Sequence, residues 1–142
     1  MIERVTIIGN GRVGGALAAR LRERGIDVHV VDRQHFEAFL TSTSPIGDLL
    51  IIAVKDAVMR EVIERRASSR SADLDGVVVL HVNGSLTPDV LAPFHKHGAV
   101  IASAHPFQTF RDADPKVLDG VGWGCQASGV LRPTSDVQRP TS

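Results

Sequence analysis

Six residues near the start of the chain carry the first chemical signal. Gly9-Asn10-Gly11-Arg12-Val13-Gly14 follows the apolar run Val5–Ile8 and opens a stretch with helical periodicity. In such a loop Gly9 permits a tight turn and Gly11 lets the backbone approach a pyrophosphate. Gly14 lets the helix lie close to the strand. The free N–H groups and the positive end of the helix dipole then attract phosphate. Arg12, inside the loop, could also reach a phosphate. Asp32 closes the second apolar run, eighteen residues after Gly14. A carboxylate there can accept hydrogen bonds from ribose hydroxyls, so the spacing is that of a dinucleotide site.

Neighbouring residues qualify the ligand. Arg33 follows Asp32, and a guanidinium beside the ribose could bind a 2′-phosphate bidentately and stack on adenine. Carboxylate and phosphate repel each other, so Asp32 favours NAD whereas Arg33 leaves NADP open, with the balance toward NAD. Val54 and Lys55, at the end of the third apolar run, would flank a ribose. Asp56, next in line, reads as a helix cap rather than a catalytic group.

A second group of polar residues follows the fourth and fifth apolar runs. His81-Val82-Asn83-Gly84-Ser85 ends one, and Ser103-Ala104-His105-Pro106-Phe107-Gln108-Thr109 ends the other. A nicotinamide delivered to that edge would meet Asn83, Ser85, His105 and Gln108, which could polarise a carbonyl or accept a hydroxyl proton. His105 reads equally well as a turn residue with a satisfied hydrogen bond. His81 reads as a core or sheet-end histidine. Cys125 has no base near it in sequence, which argues against a thiol nucleophile.

Five apolar runs must position these groups: Val5–Ile8, Val28–Val31, Leu49–Val54, Val77–Val82 and Ala99–Ala104. Most are continuous rather than alternating, as in parallel strands buried on both faces. Between them Val13, Leu17 and Leu21 form one helical stripe, with Gly25 as its stop signal. Val58, Val62 and Ile63 form a second, and Phe36–Leu40 supplies a helical turn or two. A third helix opens with Thr87, Pro88 and Asp89 and stops at Gly98. Strands alternating with helices predict an α/β, doubly wound, Rossmann-like parallel sheet of five to six strands, in the order 3-2-1-4-5. The ligand crevice is then expected at the carboxyl ends of strands 1 and 4. A sixth strand could begin near Trp123. Residues 126–142, rich in Ser, Thr, Pro and Arg, read as an irregular tail after a domain spanning 1–125.

Composition excludes several classes. Sixteen basic and sixteen acidic residues balance, so no global field attracts nucleic acid or an anionic membrane. No apolar segment approaches the ~18 residues of a membrane span, and the first residues lack a signal peptide's pattern. The single cysteine and the absence of zinc-ligand spacing point to a metal-free, cytoplasmic chain.

The segments G-N-G-R-V-G, A-V-K-D, H-V-N-G-S-L-T-P-D-V-L and A-H-P-F-Q-T-F together resemble two-domain NAD(P)-dependent oxidoreductases. The types in question are ketopantoate reductase, pyrroline-carboxylate reductase and prephenate dehydrogenase. The resemblance is strongest to a subgroup with a Rossmann-like N-terminal domain and a helical C-terminal domain of unknown function. It spans about Ile2 to Gly122. In prephenate dehydrogenases a G-S and an H-P segment supply a serine and a histidine that bind or activate the substrate hydroxyl. The resemblance would place those roles on Ser85 and His105. Gln108-Thr109 replaces the small residues expected after the H-P pair, which leaves the substrate open.

Such enzymes continue into a helical domain that closes the substrate site and forms a dimer, so a homodimer is a possible partner. This chain stops where that domain would begin, and the expectation is a truncated form without it. Two readings follow. One is the NAD(P)-binding part of an oxidoreductase acting on a small carbonyl, imine or hydroxy substrate. The other is a dinucleotide-binding or sensing module without turnover.

Overall fold

The computed structural model describes residues 2–43, 45–69, 74–83, 86–106 and 123–128. Strand β1 (Arg4–Ile8) leads through the glycine loop into α1 (Arg12–Glu23), followed by β2 (Asp27–Val31). A 3-10 turn (Arg33–His35) and α2 (Phe36–Thr41) precede β3 (Leu49–Ile52) and the long α3 (Asp56–Ser69). Then come β4 (Val78–His81), a 3-10 turn (Pro88–Leu91), α4 (Ala92–His95), β5 (Val100–Pro106) and β6 (Trp123–Ser128). The third predicted helix is thus split. Pro93 at its start has no N–H to give, so the 3-10 turn cannot run on as one regular helix.

The expected doubly wound α/β sheet is present, with strands β1 to β5 all parallel. Its order is β2-β1-β3-β4-β5-β6, which corrects the expected 3-2-1-4-5. The third strand joins the free side of β1 instead of the outer side of β2. Burial explains why. β1 is buried from Val5 to Ile8 and needs a neighbour on each side, whereas β2 exposes Asp27 and His29 and serves as an edge. The chain therefore reverses direction across the sheet between β1 and β3, and the crevice moves from strands 1 and 4 to strands 1 and 3.

β6 runs antiparallel to β5, with Ile101 opposite Ser128 and Pro106 opposite Trp123. A domain boundary at residue 125 would cut this strand, so the tail assignment fails for residues 126–128. Pairing with an open strand edge satisfies backbone groups without side-chain periodicity, which hid the strand's extent in the sequence. Residues 129–142 lie outside the described residues.

Two apolar layers hold the sheet. Val5, Ile7, Val28 and Ile51 pack with Ala18 of α1, flanked by Leu17 and Leu21. On the opposite face Ile8, Leu50, Ile52 and Ile101 pack with Met59 and Ile63 of α3 and Phe94 of α4. The alternation of Val5 and Ile7 against Ile8 is the strand period of two, with both faces covered. Thr6 is fully buried on β1 and donates its hydroxyl to the Ile46 carbonyl at 2.7 Å.

Parallel pairing aligns the carboxyl ends. Ile8, Ile52, His81 and Ser103 are consecutive register partners across β1, β3, β4 and β5. With strands about 4.8 Å apart, the loops beyond these four residues share one edge of the sheet.

Candidate functional site

At the carboxyl ends of β1 and β3 lies a cleft of about 500 Å³. Gly9, Asn10 and Gly11 form its side nearest α1, Asp32 and Arg33 its side beyond β2, and Val54 and Lys55 its side beyond β3. Residues far apart in the chain thus meet because the reversal between β1 and β3 leaves a gap between their following loops.

The three glycines of the loop differ in their surroundings. Gly9 has φ +114°, and a Cβ there would lie 2.2 Å from the Ala53 carbonyl oxygen. A Cβ at Gly14 would lie 2.2 Å from the Gly9 carbonyl oxygen. Gly11 has φ −72° and ψ −158°, a backbone open to any residue, and its Cβ would meet nothing within 4 Å. Protein packing explains the first two but gives no reason for glycine at 11. As N-cap of α1, Gly11 offers no side-chain hydrogen bond, and its carbonyl accepts from Gly15 N–H at 2.8 Å. Arg12 is exposed and Val13 half-buried on the first turn of α1, while Gly14 is buried against the loop.

Asp32 is positioned by the 3-10 turn that follows β2. Its Oδ1 accepts from the backbone N–H of His35 at 3.0 Å and contacts His35 Nδ1 at 2.6 Å. The His35 side-chain hydrogen bond, aided by backbone N–H groups of His35 and Gln34 and by the His35 charge, holds the Asp32 carboxyl below its usual range. The group therefore stands as an anion at the cleft. Arg33 is exposed beside it. Asp56 is the first residue of α3 and places a carboxylate in its first turn.

The opposite wall was missed by the sequence reading. Phe36 and Glu37 of α2 face Val58, Val62 and Arg65 of α3 across the cleft. Arg65 Nη2 donates to Glu37 Oε2 at 2.5 Å, and its guanidinium stands 5.5 Å from the Phe36 ring centroid. The Val58, Val62 stripe was visible as helical periodicity and α2 as a helical turn or two over Phe36–Leu40, but not that the two face each other across the cleft. Charged residues at the rim and apolar side chains below make a slot suited to a flat ring with a polar edge.

The second polar group is only partly described. Asn83 lies two residues past His81, and His105 two residues past Ser103, its register partner's continuation on β5. Ser85 and Gln108 lie outside the described residues, as do Gly84, Phe107 and Thr109. His81 is fully buried at the end of β4. No group of three or more His, Cys, Asp or Glu among the described residues could hold a metal ion. No helix among them is long and apolar enough to cross a membrane.

Comparisons with known proteins bear on this geometry. A family model described as a Rossmann-like domain matches residues 38–106. No curated protein matches the chain by sequence. Solved structures do match by fold. A Bacteroides fragilis protein assigned as an NADP oxidoreductase is 22% identical with a TM-score of 0.67, over 91% of this chain and 53% of that one. Synechocystis arogenate dehydrogenase is 14% identical with a TM-score of 0.68, over 92% of this chain and 52% of that one. The prephenate dehydrogenase of A. aeolicus, solved with hydroxyphenyl propionate and NAD+, is 18% identical with a TM-score of 0.61. That match covers 94% of this chain and 51% of the enzyme. The chain spans about half the length of these three structures. It has a Rossmann-like fold, and its structural neighbours include oxidoreductases.

Proposed function

We propose that this Rossmann-like domain binds a nicotinamide dinucleotide and is the cofactor-binding part of an oxidoreductase. The observation that carries the reading is Gly11. A methyl group there would protrude into open space, not into protein, so the glycine keeps room for something outside the chain. That space adjoins the uncapped start of α1, where N–H groups and the helix dipole suit a pyrophosphate. The residues present therefore fit the ligand.

Asp32 would take an adenosine ribose, with Arg33 beside it, and Phe36, Val58 and Val62 would take the base. With adenosine toward β2 and pyrophosphate at β1, the remaining half extends along the sheet edge toward β3 and β4. Val54 and Lys55 would flank its ribose, and Asn83, Ser85 and His105 would meet the substrate. A bound nicotinamide supplies hydride transfer to or from a small carbonyl, imine or hydroxy compound. The chain's own residues would orient the two partners, hydrogen-bond the reacting oxygen or nitrogen, and accept or return its proton. Both NAD and NADP fit this account, with Asp32 favouring NAD.

Calorimetric titration with NADH, NADPH and their oxidised forms tests the reading directly. Binding of at least one with a dissociation constant below millimolar is expected. No heat from any of the four up to millimolar concentration overturns it.

A further inference from the structure

His81 occupies a place the proposed reaction does not use, yet both of its ring nitrogens are engaged. The side chain is fully buried where β4 ends. Nδ1 lies 3.1 Å from the Asn83 backbone nitrogen, and Nε2 lies 2.9 Å from the Thr87 carbonyl oxygen. An amide N–H can only donate and a carbonyl can only accept, so the partners assign the tautomer. Nδ1 is the bare acceptor, and Nε2 carries the hydrogen and donates it to Thr87.

One ring therefore grips both ends of the segment from Asn83 to Thr87. The Leu86 N–H reaches the Asn83 carbonyl at 3.4 Å, a further tie between the two described ends. Thr87 in turn is the N-cap residue of the 3-10 turn Pro88–Leu91, whose Leu91 is in the core. On the sheet side, His81 is fixed between Ile52 and Ser103, and Val82 N–H donates to the Ile52 carbonyl at 3.3 Å. The anchor of the ring is thus the strand next to the cleft, and its cargo is the loop that bears Asn83. An aliphatic residue of similar volume would fill the space but leave two backbone groups without this partner.

We infer that His81, as its neutral Nε2–H tautomer, is a positioning residue that sets the loop carrying Asn83 against the nicotinamide half of a bound dinucleotide. The inference rests on the cofactor reading above and adds a residue to it. It divides the ligand in two. The adenosine and pyrophosphate contacts proposed above fall on the loops after β1 and β2 and on α2 and α3, whereas the His81 ring bonds to Asn83 and Thr87, so ADP-ribose should not sense His81. NADH should.

The test compares the two probes in the 142-residue chain. His81→Leu removes both hydrogen bonds, and His81→Asn restores an acceptor near Nδ1. Expected outcomes are NADH affinity at least fivefold weaker in His81→Leu, ADP-ribose affinity within twofold of wild type, and partial recovery of NADH binding in His81→Asn. Hydrogen exchange at the Asn83 amide should accelerate at least tenfold in His81→Leu. If His81→Leu does not fold, the wild-type protein still decides. Its His81 imidazole nitrogen resonances must show a bare Nδ1 and a protonated Nε2 at neutral pH, and the opposite tautomer or a doubly protonated ring overturns the inference. Parallel loss of ADP-ribose and NADH in a folded His81→Leu protein makes the ring merely structural, and unchanged NADH affinity makes it irrelevant. Either overturns the inference while leaving the cofactor reading intact. Wild type that binds neither probe overturns the cofactor reading itself, and with it the purpose assigned to the loop.

Discussion

Gly14 stands against the carbonyl of Gly9: a Cβ on Gly14 would lie 2.2 Å from that oxygen and 3.3 Å from the Ala53 Cβ. Gly9 is blocked in turn by the Ala53 carbonyl, at 2.2 Å. Two glycines thus lock the start of α1, the loop after β1 and the end of β3 together. The floor of the cleft depends on that contact, since Gly9 and Ala53 are both part of its lining.

Gly14→Ala forces backbone atoms apart, because the obstacle is a carbonyl and not a flexible side chain. Overpacking of this kind costs about 1–3 kcal/mol, and Gly9→Ala adds the strain of φ +114°. Urea denaturation should show a lower midpoint for both variants, with Gly9→Ala the worse. Wild-type stability in Gly14→Ala would mean that the helix start yields freely and the contact is not a constraint.

Gly11→Val should behave in the opposite way. Its backbone angles suit any residue and its Cβ meets no protein atom. Losing a glycine cap in favour of valine costs about 1 kcal/mol at most, so the fold should persist. Dinucleotide affinity should fall at least tenfold, ~1.4 kcal/mol, as the side chain fills the space kept for phosphate. Unchanged affinity in a folded Gly11→Val protein would place the ligand elsewhere.

Cofactor choice should turn on Asp32. Asp32→Ser removes the charge that repels a 2′-phosphate while keeping a side-chain oxygen that can still accept from the His35 N–H. Arg33, exposed at the cleft, then no longer has the Asp32 carboxylate next to it in the chain to oppose a phosphate. The ratio of NADPH to NADH affinity should rise about tenfold or more, which parallel titrations of both cofactors would read. A wild-type protein that already prefers NADPH strongly would make Arg33 the dominant reader instead.

The sequence made β1, the glycine loop and Asp32 legible because each is a local pattern: an apolar run, fixed glycine spacing, one acidic residue. Strand order was not local. Whether Leu49–Ile52 joins β1 or β2 depends on which edge can be buried, and exposed Asp27 and His29 decide that only in three dimensions. The Phe36 and Arg65 wall escaped for the same reason, since it arises from α2 meeting α3. His81 was recognisable as a sheet-end histidine, but that its ring meets the backbone of Asn83 and Thr87 follows from the three-dimensional fold.

Acid should loosen two joints of this frame. Asp48 accepts from the Glu3 N–H at 2.8 Å and from the Arg4 N–H at 3.2 Å, pinning the start of β1 to the approach to β3. Those two hydrogen bonds, with the terminal amino charge, lower its pKa, as the His35 hydrogen bonds lower that of Asp32. A depressed folded-state pKa contributes stability that is present above the unfolded value, about 3.9, and lost as pH falls through the lower folded value. The melting temperature should therefore drop as pH is taken below about 4. In Asp48→Asn it should start lower at neutral pH and fall less steeply. Equal slopes in the two proteins would remove Asp48 from the account.

Turnover is the most demanding expectation. Hydride transfer needs the substrate held within ~3–3.5 Å of the nicotinamide in a site that excludes water. The described cleft is an opening along one sheet edge, with its walls made by loops and by α2 and α3. The proposed dinucleotide would fill it, with the described residues on one side of a substrate. The dehydrogenases that share this fold are about twice as long, with this chain matching 51% of one and 52% of another. The 142-residue chain is therefore expected to bind NAD(P) and to turn over carbonyl, imine and hydroxy-acid substrates at or near background. In that case Asn83, Ser85 and His105 form an open half-site. Following nicotinamide absorbance across a substrate panel reads this directly. Saturable turnover that His105→Ala abolishes would show a complete active site instead, assembled within this chain or across a homodimer. Sedimentation of the active species would then separate those two, because only a dimer-dependent site loses activity on dilution.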